Sequence, residues 1–210
     1  MSFTDISIAL MSSTVITLYT GAMGRWQPDA RTRLAEAALE LYGQRGFQAV
    51  TVAEIAERAG LTERTFFRHF ADKREVLFSA AGGLQDQIVA ALDNAPVSSS
   101  AIDAVGEALE AAAALLGQRR DYARRRQAII TANAELQERE RIKLASLARA
   151  LADGLRRRGV AASTAILAGE AGIAVFRVAF ERWIDESEHR ELGEVIRDSL
   201  NELKAVTAAK

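Results

Sequence analysis

The stretch Leu61–Phe70, LTERTFFRHF, gathers three Phe, two Arg and one of only two His in a chain that is 6% aromatic. An arginine guanidinium can pair bidentately with the edge of guanine or with a phosphate, so this is chemistry suited to a nucleic acid. From Arg58 to Arg74 five cations (Arg58, Arg64, Arg68, Lys73, Arg74) face two anions (Glu63, Asp72), a local excess of three. The formal net charge of the whole chain is −1, so any affinity for a polyanion has to be local. The competing reading is an ordinary solvated basic face. Glu186-Ser-Glu-His189 has Glu-x-x-His spacing, but a helical carboxylate metal site needs two such motifs, and His69 has Phe66 three residues before it. Cysteine is absent, which excludes disulfides, thiolate metal sites and Cys nucleophiles. Nothing places Ser and His as a triad, and no Gly-rich phosphate loop follows a strand. No catalytic residue, metal or cofactor is therefore assigned, and the chain is expected not to be an enzyme. The runs Arg124–Arg126 and Arg156–Arg158 cannot form one helix face, because consecutive residues point about 100° apart.

The elements that would hold this stretch are short helices. With two Pro, no convincing strand and Ala, Leu, Glu and Arg dominant, the chain is expected to be all-α, with about nine helices. The first helix is read from Pro28 and ends at Gly43 and Gly46. Thr51-Val-Ala-Glu54 is a capping box ahead of Ile55, Ala56 and Ala59, and Gly60 follows. Thr62 caps a second short helix to about His69, in which Phe66 and Phe70 share a core-facing side. Glu63, Arg64 and Arg68 fall opposite, with Thr65, Phe67 and His69 on the flanks. Two short helices around a Gly turn fit a helix-turn-helix. Asp72-Lys-Arg-Glu75 opens a longer helix carrying Val76, Leu77, Ala80, Ala81, Leu84 and Ile88. That helix contains Gly82-Gly83, which cost about 1 kcal/mol each at mid-helix and mark either a bend or close packing.

The run ALELYGQRGFQAVTVAEIAERAGLTERTFFRHFADKREVLF resembles the DNA-binding domain of the TetR (tetracycline-repressor-like) family of transcriptional regulators, over about residues 30–92. The resemblance implies an N-terminal three-helix DNA-binding domain over 25–72 and a connecting helix over 73–92. An effector-binding and dimerisation domain follows over 100–208. It implies a cytoplasmic regulator, by family default a repressor, that binds a palindromic double-stranded operator as a homodimer and is released by an unknown small-molecule effector. Thr62, Glu63, Arg64 and Thr65 would then open the recognition helix, with Arg64 and Arg68 as candidates for base edges. Glu63 either accepts from a cytosine amine or holds an Arg. His69 and Lys73 match family positions that touch phosphate, and Thr51 caps a helix N-terminus that can meet one. The family usually has Tyr where this chain has Phe67, so ring contact with sugar-phosphate or a thymine methyl would replace a hydroxyl bond. The alternative is a helical interaction module without sequence-specific DNA binding, and after it a metal-dependent helical enzyme.

Beyond the boundary Asn94–Ser100 the periodicity predicts helices near 100–117, 121–132, 134–158, 163–185 and 188–206. Ala165–Ile184 is apolar nearly all round. The last helix has a narrow stripe of Leu192, Val195, Ile196, Ser199, Leu200, Leu203 and Val206. These two helices either form half of an intersubunit four-helix bundle, the expected homodimer contact, or complete the intrachain core. Candidate effector-pocket residues are Tyr122, Arg126 and Ile129 on one helix face, with Phe176, Arg177 and Phe180 (and Trp183) on the apolar helix; the alternative makes the aromatics core and the Arg edge salt bridges. Residues 1–24 carry no charge from Ile6 to Gly24 and read as an unstructured leader or over-extended start, with Met23 a natural beginning. The segment lacks the basic start of an export signal and is too hydroxyl-rich for a span, so no membrane partner is expected.

Overall fold

The computed structural model describes residues 29–208 apart from 80, 118 and 186; the proposed leader and Pro28 lie outside the described residues. Among the described residues there are nine α-helices, one 3-10 turn and no strand. α1 (Ala30–Arg45), α2 (Val52–Arg58) and α3 (Glu63–His69) form the head. Asp29 caps α1, its carboxylate accepting from the Thr32 amide at 2.7 Å, and the helix runs through Gly43 to a left-handed Gly46 (φ 80°). Gly43 does not stop the helix as expected, because a single glycine only lowers propensity whereas Gly46 supplies the backbone angle of a C-terminal turn.

The head core is Leu34, Ala38, Tyr42, Phe47, Val50, Ile55, Phe66 and Phe70, with Tyr42 and Phe47 edge-to-face at 5.1 Å. It is not closed by the head alone. Ile129 and Ile130 from α6 (Arg120–Thr131) and Leu136 from α7 (Ala134–Arg157) bury into the same cluster. A three-helix unit of this size has little core of its own, and these contacts supply the missing wall.

The helix expected over 73–92 is divided. Asp72 accepts from the Arg74 and Glu75 amides and starts only the 3-10 turn Glu75–Phe78; α4 is Ala81–Asn94. Val76, Leu77 and Phe78 all point into the head core, a demand met by the tighter 3-10 pitch. Gly82 and Gly83 thus lie in the first turn of α4, where the mid-helix cost does not apply, and a Cβ at Gly83 would meet nothing within 4 Å.

The body packs α4, α5 (Ala101–Gly117), α7, α8 (Ala162–Trp183) and α9 (Leu192–Thr207) around a second core centred on Leu92, Val105, Leu109, Leu151, Leu155 and Trp183. Glycines permit the tightest approaches: a Cβ on Gly169 would stand 2.6 Å from the Ala148 carbonyl oxygen, and one on Gly172 would collide with Val105. The stripe on α9 completes this core within the chain, with Leu192, Val195, Ile196, Ser199 and Leu200 buried and Val206 84% exposed. This stripe of α9 is thus buried within the chain. The uncovered apolar surface lies instead on α8, where Ile166, Leu167 and Val178 are 50%, 70% and 44% exposed. α8 is the one described helix long and apolar enough to cross a membrane; it packs along α5, α7 and α9.

Candidate nucleic-acid interface

The expected capping box is present. Thr51 Oγ1 accepts from the Glu54 amide at 3.3 Å, and the Glu54 carboxylate accepts from the Thr51 amide at 2.8 Å and from Arg45 at 2.7 Å. The Thr51 amide, the Arg45 guanidinium and the Thr51 hydroxyl together hold the Glu54 carboxyl down at about 2. α2 ends on a tight turn in which the Leu61 amide donates to Ala56 and the Gly60 amide to Glu57, with Gly60 left-handed at φ 64°. Arg33 reaches across from α1 to donate to the Ala59 carbonyl at this turn. That contact was not foreseen, because a backbone acceptor carries no residue-type signal in the sequence.

α3 then presents one buried and one open side. Phe66 is fully buried and Phe70 nearly so, their rings 5.4 Å apart, with Arg31 over the Phe70 ring at 5.1 Å. Glu63, Arg64, Phe67 and Arg68 are exposed. Phe67 is 56% exposed and braced edge-to-face on Phe66 at 5.4 Å. Thr62 caps α3 by accepting from the Thr65 amide at 3.2 Å, and the two threonine hydroxyls lie 3.1 Å apart.

The cations of the head divide into two groups. Arg58 pairs with Glu40, Arg74 with Asp72 at 2.6 Å, and Arg45 with Glu54. Arg31 donates to the Ser79 carbonyl, and Arg33 and Lys73 also bond to backbone carbonyls. Of the described cations of the head, Arg64 and Arg68 have no hydrogen-bond or ion-pair partner, and both stand on the open side of α3. Guanidiniums left without an internal partner are the ones available to an external acceptor.

Two expected phosphate ligands are placed differently. Lys73 turns inward, donating to the carbonyls of Phe47 at 3.0 Å, Gln48 at 3.3 Å and Val50 at 3.0 Å. His69 is half-buried, its Nε2 enclosed without a partner. Lys73 lies over the Phe47 ring at 4.5 Å, and the His69 ring stands 6.4 Å from that of Phe70.

The expected effector-pocket residues do not line one cavity among the described residues. Tyr122 and Ile129 pack on the head core. Arg126 donates to the Leu77 carbonyl at 2.7 Å, pairs with Glu140 at 3.1 Å and lies over the Phe78 ring at 4.9 Å. Burial pushes its guanidinium pKa down, countered by Glu140. Phe176 and Phe180 stack at 5.8 Å against the body core, and Arg177 is exposed. Helical spacing correctly puts Tyr122, Arg126 and Ile129 on one face, but that face meets the head. An open cleft of about 610 Å³ does lie between α1 and α6, lined by Glu36, Leu39, Glu40, Arg119, Tyr122 and Arg125. Of the Glu-x-x-His segment, Glu186 is outside the described residues, and Glu188 accepts from Arg190, whose side chain and amide hold its carboxyl at about 2.

The comparisons agree with this arrangement of head and body. Residues 34–80 match the model of bacterial regulatory proteins, tetR family, and residues 99–208 match that of the MftR C-terminal domain. The chain named mycofactocin biosynthesis transcriptional regulator MftR in Mycobacterium tuberculosis is 27% identical over 79% of this chain and 85% of its own length. The transcriptional regulator TcmR of Streptomyces glaucescens is 37% identical over 91 residues, 43% of this chain but only 39% of that protein. Among solved structures, the fatty acid degradation regulator FadR of Bacillus halodurans shares the fold at a TM-score of 0.58, with 17% identity over 84% of this chain and 95% of that one. With both its head and its body matched in this way, the chain belongs to the TetR family of bacterial regulatory proteins.

Proposed function

We propose that the protein is a transcriptional repressor that reads a palindromic operator through α3 as a homodimer and is released by a small-molecule effector. The observation that carries this is the pair Arg64 and Arg68, without internal partners on the open face of a capped, core-anchored helix. Insertion of α3 into a major groove would bring both guanidiniums to base edges, with Glu63 beside them and Phe67 offering an apolar ring. Thr51 and Thr62 sit at the N-termini of α2 and α3, where free amides favour phosphate.

A surface suited to dimerisation supports the palindromic reading. The outer face of α8 offers Ile166, Leu167, Ala174 and Val178 between Glu170, Arg177 and Glu181, an apolar stripe with a charged rim. Paired along α8, with α9 flanking, two chains would place two heads on one duplex. The effector would act on the grip of the body on the head. Arg139 and Lys143 of α7 hold Glu75, and Arg126 of α6 holds Leu77, so displacement of α6 or α7 would carry the 3-10 turn and the head with it. A gel shift with duplex DNA from upstream of the protein's own gene, at two salt concentrations, tests the reading. A discrete complex that weakens at higher salt supports it, and failure to retard any of this DNA at either salt contradicts it.

A further inference from the structure

Two arginines of α1 reach the two ends of α3. Arg31 and Arg33 stand two residues apart, about 200° around the helix, so they leave α1 in nearly opposite directions. Arg33 donates through Nη2 to the carbonyl of Ala59, the C-cap of α2 and one of the acceptors that a helix end leaves without an intrahelical donor. The guanidinium packs against the bare Gly60, where a Cβ would stand 3.0 Å from the same Nη2. Gly60 is left-handed at φ 64°, and Thr62, the N-cap of α3, follows it closely. Arg31 works at the far end. It lies over the ring of Phe70, the C-cap of α3, and donates to the Ser79 carbonyl at 2.8 Å beyond the 3-10 turn. Leu34, Ala35 and Ala38 anchor α1 in the head core, so both side chains extend from a fixed helix.

We infer that Arg33 is a positioning residue for DNA reading: from α1 it holds the turn between α2 and α3 and thereby sets the pose of α3, on whose open side Arg64 and Arg68 stand. This rests on the reading of the head as a DNA-binding domain. α3 has seven residues, too few to be stable alone, so its direction is set by the turn that feeds it and by the core beneath it. The bond from Arg33 is suited to fixing that turn. Its donor is charged, which makes it stronger than a neutral hydrogen bond, and it meets the negative end of α2. Base-edge contacts need their donors held to within about 0.5 Å, whereas attraction to phosphates decays over about 10 Å. A loosened turn therefore costs sequence reading before it costs general affinity for DNA.

The test compares an operator selected from random duplexes with a scrambled duplex. For Arg33→Met the expected result is a fall in operator affinity of roughly tenfold, with affinity for the scrambled duplex and its salt dependence retained. Amide hydrogen exchange over residues 58–66 should rise in the free protein, with exchange in the body core unchanged. Arg33→Gln, a shorter polar side chain, serves if the Met variant does not fold; it should show the same selective loss and the same faster exchange. An equal loss on both duplexes, with the slope of log affinity against log salt concentration lowered by about 0.9, would overturn the inference in favour of direct phosphate contact. Unchanged operator affinity would overturn it as well. If the wild-type chain binds no DNA, the DNA-binding reading fails instead, while the exchange measurement still reports whether Arg33 holds the turn.

Discussion

At the scale of the residue, the head works by allotting its polar groups. Most cations of the head serve helix ends, turns or carboxylates, and Arg64 and Arg68 are left over on α3. Phe67 completes this surface: an exposed ring fixed against Phe66 has no hydrogen bond to offer and can contribute only apolar contact. A thymine methyl is the base-edge group that suits it. Phe67→Ala should therefore weaken operator binding by about 1 kcal/mol, and the loss should shrink when uracil replaces thymine in the operator. A loss of the same size on both duplexes in an anisotropy titration would point to sugar-phosphate contact. The α3 side chains were legible in the sequence because their order around a helix follows from spacing alone. The inward turn of Lys73 and the reach of Arg33 were not, since each bonds to carbonyls that any residue could supply.

At the scale of the element, short helices depend on their ends. α2 has seven residues, too few to be stable alone, so the Thr51–Glu54 box and the packing of Ile55 sustain it. Glu54 titrates at about 2 in the folded head against 4.5 ordinarily, chiefly through the Thr51 amide. A depressed carboxylate pKa adds stability above the unfolded value and loses it as pH falls through the folded one. The thermal stability of the protein should decline between about pH 4.5 and pH 2 more steeply than that of Glu54→Gln; parallel declines in calorimetry would show that the charge of Glu54 adds nothing to stability. In the body, the α7–α8 crossing depends on Gly169. Gly169→Ala forces a methyl toward the Ala148 carbonyl oxygen and should cost roughly 1–3 kcal/mol in urea unfolding, whereas an unperturbed midpoint would mean the helices separate freely. Caps and apolar stripes were readable locally. What each stripe packs against was not: α6 turns Ile129 and Ile130 to the head, and α9 closes its own chain's core, because periodicity defines a buried face and leaves its partner undefined.

At the scale of the whole molecule, the head borrows part of its core from α6 and α7, so the two parts cannot move independently. Arg126 and Glu75 fasten the 3-10 turn to the body at the same junction. Such a coupling lets an effector anywhere in the body alter the pose of α3, provided it favours a different arrangement of α6 and α7. Two heads also need a fixed separation, since half-sites on one face of a duplex repeat at about 34 Å. Leu167→Glu, in the centre of the open α8 stripe, should shift the protein from dimer to monomer in sedimentation and weaken operator binding together; a dimer that persists would move the interface elsewhere. The central claim is that α3 reads bases through Arg64 and Arg68. Its most direct test is a fluorescence-anisotropy comparison of wild type, Arg64→Ala and Arg68→Ala on an operator selected from random duplexes and on a scrambled duplex. The account predicts a loss on the order of 1–3 kcal/mol per variant on the operator and little change on scrambled DNA; operator affinity unchanged in both variants would contradict it.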